Sequence, residues 1–282
     1  MNKILRLLAV FMSVAFITTG GADAGKKLTI QGSDTLLEMV TAEAAAYMSQ
    51  NKGAIIQVTG GGSGVGIAAI INGSTDIADA SRPMKKKERK RIEKNGAKVF
   101  EVAIALDGVS LYMHPDNPVS DLSTAQLKDI YTGKINNWKE VGGNDAKIIR
   151  YSRENSSGTY AFFKKHVLKK QNYAADCQNM PGTASVVNAV SKDKNAIGYG
   201  GLSYAEGVKV VKVNGILPSP ETVSDGSYPV SRSLYQYTIG KPKGLAKKFI
   251  DFELSKDGQK LAIKAGYVPL PEPVRLNSLA SL

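Results

Sequence analysis

Three times in this chain an apolar run of β character stops in a Ser/Gly-rich turn and gives way at once to helical spacing. The turns are Gly32-Ser33-Asp34-Thr35 before Leu36, Gly60-Gly61-Gly62-Ser63-Gly64-Val65-Gly66 before Ile67, and Ser156-Ser157-Gly158-Thr159 before Tyr160. Strand, turn and helix repeated in this way predict an α/β protein with mainly parallel sheets. Ligands of such sheets bind beyond the carboxyl ends of the strands, so the turns are expected at one crevice. Each turn also opens a helix, where free N–H groups and the dipole attract an anion. Gly lets backbone approach, and Ser or Thr adds a hydroxyl. A single turn of this kind reads first as an ordinary N-cap. Three, with Arg153 just ahead of the last, point to one small oxyanion clamped between two lobes.

The flanking residues fit this plan. Lys27–Ile30, Ile55–Thr59 and Asp76–Ala78 read as strands, and Leu36, Leu37, Val40, Ala44 and Tyr47 recur at helical spacing. Val99–Met113 is a long β-rich stretch with Asp107-Gly108 in its middle, where the chain is expected to pass between lobes. Ser123 and Gln126 form a capping box ahead of Leu127 and Ile130. The segment Lys147–Tyr151 delivers Arg153, while Ala196–Tyr199 and Val208–Val213 are further strand candidates. A Gly/Pro/Ser-rich stretch from Gly215 to Pro229 interrupts the pattern; Leu234–Ile239 then returns as a strand, and one long helix is expected over Leu245–Ala265.

The first residues read as a processing signal. Lys3 and Arg6 precede an apolar run from Leu7 to Ile17, too short to span a bilayer, and Ala22-Asp23-Ala24 offers a cleavage site. Cleavage after Ala24 gives a secreted chain. The formal charge of +12 attracts anions, nucleic acid among them. However, the run Lys85-Lys86-Lys87-Glu88-Arg89-Lys90-Arg91 has no interleaved aromatic and reads as a solvated helix face. An export signal also argues against a nucleic-acid partner.

Catalytic motifs are not met. Ser63 and Ser157 lack the paired glycines of a nucleophile elbow, and Ile67 stands where a P-loop needs Lys. The histidines, His114 and His166, have no metal-ligand spacing, and the sole cysteine, Cys177, excludes a disulfide framework. Neither an enzyme nor a cofactor is expected.

Taken in order, Gly32–Thr35, Gly61–Gly64, Asp76–Pro83 and Arg153 with Ser157-Gly158-Thr159 resemble the periplasmic phosphate-binding proteins of ABC-type uptake systems, the PstS family. Tyr131–Trp138, Ala196–Tyr199 and Tyr228–Arg232 extend the resemblance over the mature chain. It implies a two-lobed, Venus-flytrap fold of type II with a discontinuous first lobe and two hinge crossings. The expected boundaries are 1–24 for the signal peptide, 25–104 with 230–282 for lobe one, and 105–229 for lobe two. It also implies phosphate held by Thr35 and the Leu36 N–H, by Ser63, by Arg153 and by Ser157, Gly158 and Thr159, with Ser33, Ser81 and Arg82 among the binding residues. The implied protein is a periplasmic monomer that delivers inorganic phosphate to the permease subunits of a membrane importer. Another tetrahedral oxyanion such as sulfate, or a surface or signalling role without transport, stays open.

Two positions depart from the family pattern. Many members have Asp where Ser81 stands, and another two residues after the arginine, where this chain has Asn155. A carboxylate accepts the proton that phosphate carries and sulfate lacks. Asp107 is a candidate for that acceptor or for a partner of Arg82, and reads equally as a turn residue beside Gly108.

Overall fold

The computed structural model describes residues 27–282; the expected signal peptide lies outside them. In chain order the elements are β1 (Lys27–Gly32), α1 (Leu37–Gln50), β2 (Ile55–Thr59), α2 (Ser63–Ile71), β3 (Ile77–Ala80), α3 (Lys86–Lys94) and β4 (Val99–Met113). There follow β5 (Asp121–Leu122), α4 (Thr124–Tyr131), β6 (Ile149–Arg153), α5 (Gly158–His166), β7 (Gln178–Met180), α6 (Thr183–Val190), β8 (Ala196–Gly201), β9 (Lys209–Val213) and α7 (Pro220–Ser224). The chain closes with β10 (Ser231–Ile239), α8 (Gly244–Glu253), α9 (Lys256–Lys264) and α10 (Glu272–Ser281).

The strands run in the order β2-β1-β3-β10-β4-β8-β6-β7, with β9 on β4 and β5 on β9. β1 is parallel to β2 and β3, as the strand–turn–helix reading requires. β4 is the joint of the molecule. Its first part pairs antiparallel with β10 through Gly108, and its remainder pairs with β8 and β9. Two strands thus cross the waist side by side, and the apolar residues collect in a separate core on each side. One gathers Leu28, Ile30, Leu36, Val40, Tyr47 and Phe249; the other gathers Leu111, Leu127, Tyr131, Trp138, Phe163 and Tyr199. Each such side chain contributes roughly 1.5–3 kcal/mol by leaving water. The result is the two-lobed α/β architecture.

Local signals explain where the helices begin. Ser123 and Gln126 form the expected capping box on α4, with Ser123 Oγ accepting from Gln126 N–H at 3.1 Å and Gln126 Oε1 from Ser123 N–H at 2.8 Å. The Tyr131–Trp138 stretch wraps buried Arg150, whose Nη2 donates to the Ile135 carbonyl and Asn136 Oδ1, both at 2.6 Å. Cys177 lies beside this core, and burial pushes its thiol up to about 12.

The single long helix expected over Leu245–Ala265 is two helices. The chain breaks at Leu254-Ser255 because the Ser255 hydroxyl caps a new helix, accepting from Gly258 N–H at 3.1 Å. A further helix, α10, follows Pro271 at its N-cap, with Pro273 in its first turn. No helix among the described residues is long and apolar enough to cross a membrane.

Candidate functional site

The three turns meet at the waist. Ser33 and Thr35 come from the turn after β1, Ser63 from the first position of α2, Ser81 from the end of β3, and Thr159 from the first turn of α5; none is more than 3% exposed. Their hydroxyls form two linked sets. Ser33 Oγ donates to Ser81 Oγ at 2.9 Å, and Ser81 N–H donates to Ser63 Oγ at 3.0 Å. Across the cleft the Thr35 and Thr159 hydroxyls lie 2.9 Å apart. A methyl group on Gly158 would collide with the Ser63 and Ser81 hydroxyls, so the N-terminus of α5 is pressed onto the first lobe's serines. Gly62, at φ +95°, meets Ser156 in the same way, and Gly64 N–H donates to the Ser156 carbonyl at 2.8 Å. Only glycine tolerates both that backbone angle and that approach.

The expected site residues are thus brought together with three qualifications. Leu36 N–H is spent on the Ser33 carbonyl at 3.0 Å and closes a turn. Ser157 Oγ caps α5, accepting from Tyr160 N–H at 3.2 Å, so this position offers backbone rather than hydroxyl. Arg82 stands apart, because Glu88 takes its guanidinium through both carboxylate oxygens at 2.8 and 2.9 Å.

Asp107 does not pair with Arg82 either. It is buried against Arg232, directly opposite on β10, whose Nε and Nη2 donate to its Oδ2 at 2.9 and 2.7 Å. Leu202 N–H donates to its Oδ1 at 3.2 Å. Arg232 goes on to the oxygen cluster: Nη2 donates to Thr159 Oγ1 at 3.1 Å, and Nη1 to the Ser81 carbonyl at 3.0 Å. Arg232 lies in the Tyr228–Arg232 stretch, and the family resemblance assigns it no role. The same holds for Asp34, whose Oδ2 accepts from Arg153 Nη2 across the cleft at 2.6 Å and whose Oδ1 accepts from Gly61 N–H at 2.9 Å. Arg153 also donates to Thr183 Oγ1 at 2.7 Å, and its buried Nε has no hydrogen-bond partner.

The arrangement is therefore a buried nest of hydroxyls, helix N-termini and a guanidinium with a spare donor. A small oxyanion matches such donors, and the low dielectric strengthens each bond. Hydroxyls also accept, which suits an anion that still carries a proton. No group of His, Cys, Asp or Glu among the described residues is placed to hold a metal ion.

Below the cluster lies an acidic one. The Asp79 carbonyl accepts from Ser33 N–H at 3.0 Å, fixing the first turn to β3. Its carboxyl is buried, and burial pushes it up to about 7 against an opposing hydrogen bond from Gln236. Glu43 on α1 and Glu253 on α8 are pushed well above the usual carboxylate range, first by burial. Gln236 Nε2 donates to Glu253 Oε1 at 2.9 Å.

Comparison with known proteins gives consistent matches. The family model of the PBP superfamily domain matches residues 18–257. The phosphate-binding protein PstS of Staphylococcus epidermidis is 36% identical over 282 residues, 93% of this chain and 86% of that protein. That of Bacillus subtilis is 34% identical over 291 residues, 96% of this chain and 95% of that protein. A Clostridium perfringens protein, described as a phosphate ABC transporter substrate-binding protein and solved with bound phosphate, superposes with a TM-score of 0.82 at 38% identity. That match covers 87% of this chain and 100% of the other. An ABC-type phosphate transport receptor from Vibrio cholerae gives a TM-score of 0.73 at 28% identity, covering 86% and 100%.

Proposed function

Because this chain belongs to the PBP superfamily and, within it, to the PstS family of phosphate-binding proteins, we propose that it captures inorganic phosphate and delivers it to a membrane ABC importer. The observation that carries this reading is the hydroxyl cluster drawn from both lobes, with α5 closing on Ser63 and Ser81 and Arg153 Nε left as a donor. Residues 25–104 with 230–282 act as one lobe and 105–229 as the other, swinging about the β4–β10 crossing. Phosphate bridges Ser33, Thr35, Ser63 and Ser81 on one wall to Arg153 and the Gly158-Thr159 backbone on the other. Binding is reversible and involves no covalent chemistry. The protein works as a monomer in the periplasm, exported by its cleaved leader, and the closed form is what the permease subunits recognise.

Within this reading Asp107 is a positioning residue. Its oxygens are held by Arg232 and Leu202, and it keeps the Arg232 guanidinium against Thr159 and Ser81. The phosphate proton is then accepted by a hydroxyl oxygen of the cluster.

Calorimetric titration of ligand-stripped protein tests the function. Phosphate is expected to bind at one per chain, with excess sulfate failing to displace it. At 100 times its dissociation constant it should stabilise the fold by about 2.7 kcal/mol. Equal affinity for sulfate would transfer the protein to the wider oxyanion class. A second test probes closure. Gly158→Ala puts a methyl group against the Ser63 and Ser81 hydroxyls and is expected to weaken phosphate at least tenfold, about 1.4 kcal/mol. The melting temperature without ligand should hardly move, and wild-type affinity in this variant would mean that the lobes need not meet there.

A further inference from the structure

A pocket of about 770 Å³ opens at the rim of the cleft, between the segment leading into α3 and the exposed side of α5. Lobe one lines it with Arg82, Lys85 and Lys86, and lobe two with Lys164, Lys165 and Lys170. No carboxylate is among the lining residues, and Arg82 turns its charge back onto Glu88. Lys86, Lys165 and Lys170 form no ion pair among the described residues. Like charges therefore face each other across the two walls. His166 on one wall and Lys85 on the other are both shifted down, each first by burial and then by neighbouring positive charge. Such an arrangement favours an anion between the walls.

The size and the chemistry narrow the ligand. Pockets of roughly 300–1,000 Å³ take ligands much larger than orthophosphate. Ammonium groups along two walls act as point charges, which suits a row of anionic groups better than one forked pair. The aromatic floor is already engaged, each ring having a stacked partner and a cation near it. Tyr160 is stacked on Tyr173 at 4.6 Å with Lys164 Nζ 6.0 Å from its ring centre. Phe162 is stacked on His166 at 4.2 Å and has the Arg232 guanidinium 5.4 Å from its ring centre. From these walls and this floor we infer that the rim pocket is a second anion site, separate from the hydroxyl cluster, that binds short condensed inorganic phosphate such as tripolyphosphate.

The test titrates sodium tripolyphosphate into the full-length mature protein by calorimetry, with and without saturating orthophosphate. The expected result is one tripolyphosphate per chain in both cases, with affinity falling steeply between low and moderate salt. The quadruple variant Lys85→Ala/Lys86→Ala/Lys165→Ala/Lys170→Ala should lose at least tenfold in tripolyphosphate affinity while orthophosphate affinity stays within twofold. Loss of tripolyphosphate binding when orthophosphate is present would overturn the inference, since the hydroxyl cluster would then be the site. So would unchanged affinity in the quadruple variant, or several ions bound per chain. Tighter binding of ATP than of tripolyphosphate would overturn the assignment to an inorganic chain.

Discussion

Replacing Asp107 by Asn is expected to destabilise the protein by about 3–5 kcal/mol and to leave the ratio of phosphate to sulfate affinity unchanged. The Arg232 guanidinium is buried, and Asp107 Oδ2 takes two of its N–H groups. An amide keeps the shape but removes the counter-charge, so a cation remains in a low-dielectric site. For a chain of this size each kcal/mol moves the melting temperature by about 2–4 °C, giving a fall on the order of 10 °C. Both anions would feel the uncompensated Arg232 alike, because the missing charge acts through Arg232 and not on the ligand proton. Thermal melts without ligand and paired titrations measure the two effects. A rise in sulfate affinity relative to phosphate of tenfold or more would instead identify Asp107 as the reader of that proton.

The second large effect is a gain. In the folded chain burial holds the Asp79 carboxyl up to about 7, against an ordinary value of 3.8. Between these pH values the folded state keeps a proton that the unfolded state has lost. Stability therefore falls as pH rises from about 4 to about 7 and levels off above. A gap of about three pH units corresponds to about 4 kcal/mol. Asp79→Asn removes the titration while keeping the shape, and Gln236 Oε1, which has no hydrogen-bond partner, is available to the new amide. The variant is expected to be more stable than the wild type at pH 8 by about 4 kcal/mol and to lose that advantage near pH 4. Melting temperatures of both proteins across this range decide it. Parallel curves would place the pH dependence elsewhere, with Glu43 and Glu253 next in line.

The contrast between these acids and the turns shows what a sequence makes legible. Ser33, Thr35, Ser63 and Thr159 announce themselves because strand, turn and helix are local events read from a few adjacent residues. The rule that such turns share one crevice then brings them together. Arg232 and Asp107 are 125 positions apart and meet only through the β4–β10 register, so neither spacing nor motif pairs them. Asp34 was in plain view within the first turn, but its partner Arg153 lies in the other lobe. Glu43 had a faint signal: it sits one turn from both Met39 and Tyr47, on the buried face of α1. Ser157 carried two readings, cap and ligand, and its hydroxyl takes the first. The break at Ser255 turned on one cap within an otherwise continuous amphipathic pattern, which periodicity alone passes over.

The two apolar cores are separate clusters, and Leu106 packs against both. What joins the halves is the β4–β10 ladder and a handful of polar bonds, among them Arg153–Asp34, Thr35–Thr159 and Gly64–Ser156. Each half therefore carries its own hydrophobic driving force. A guest that hydrogen-bonds to both walls adds to this small set of links, so holding it tightens the coupling between two cores that the chain itself joins sparingly.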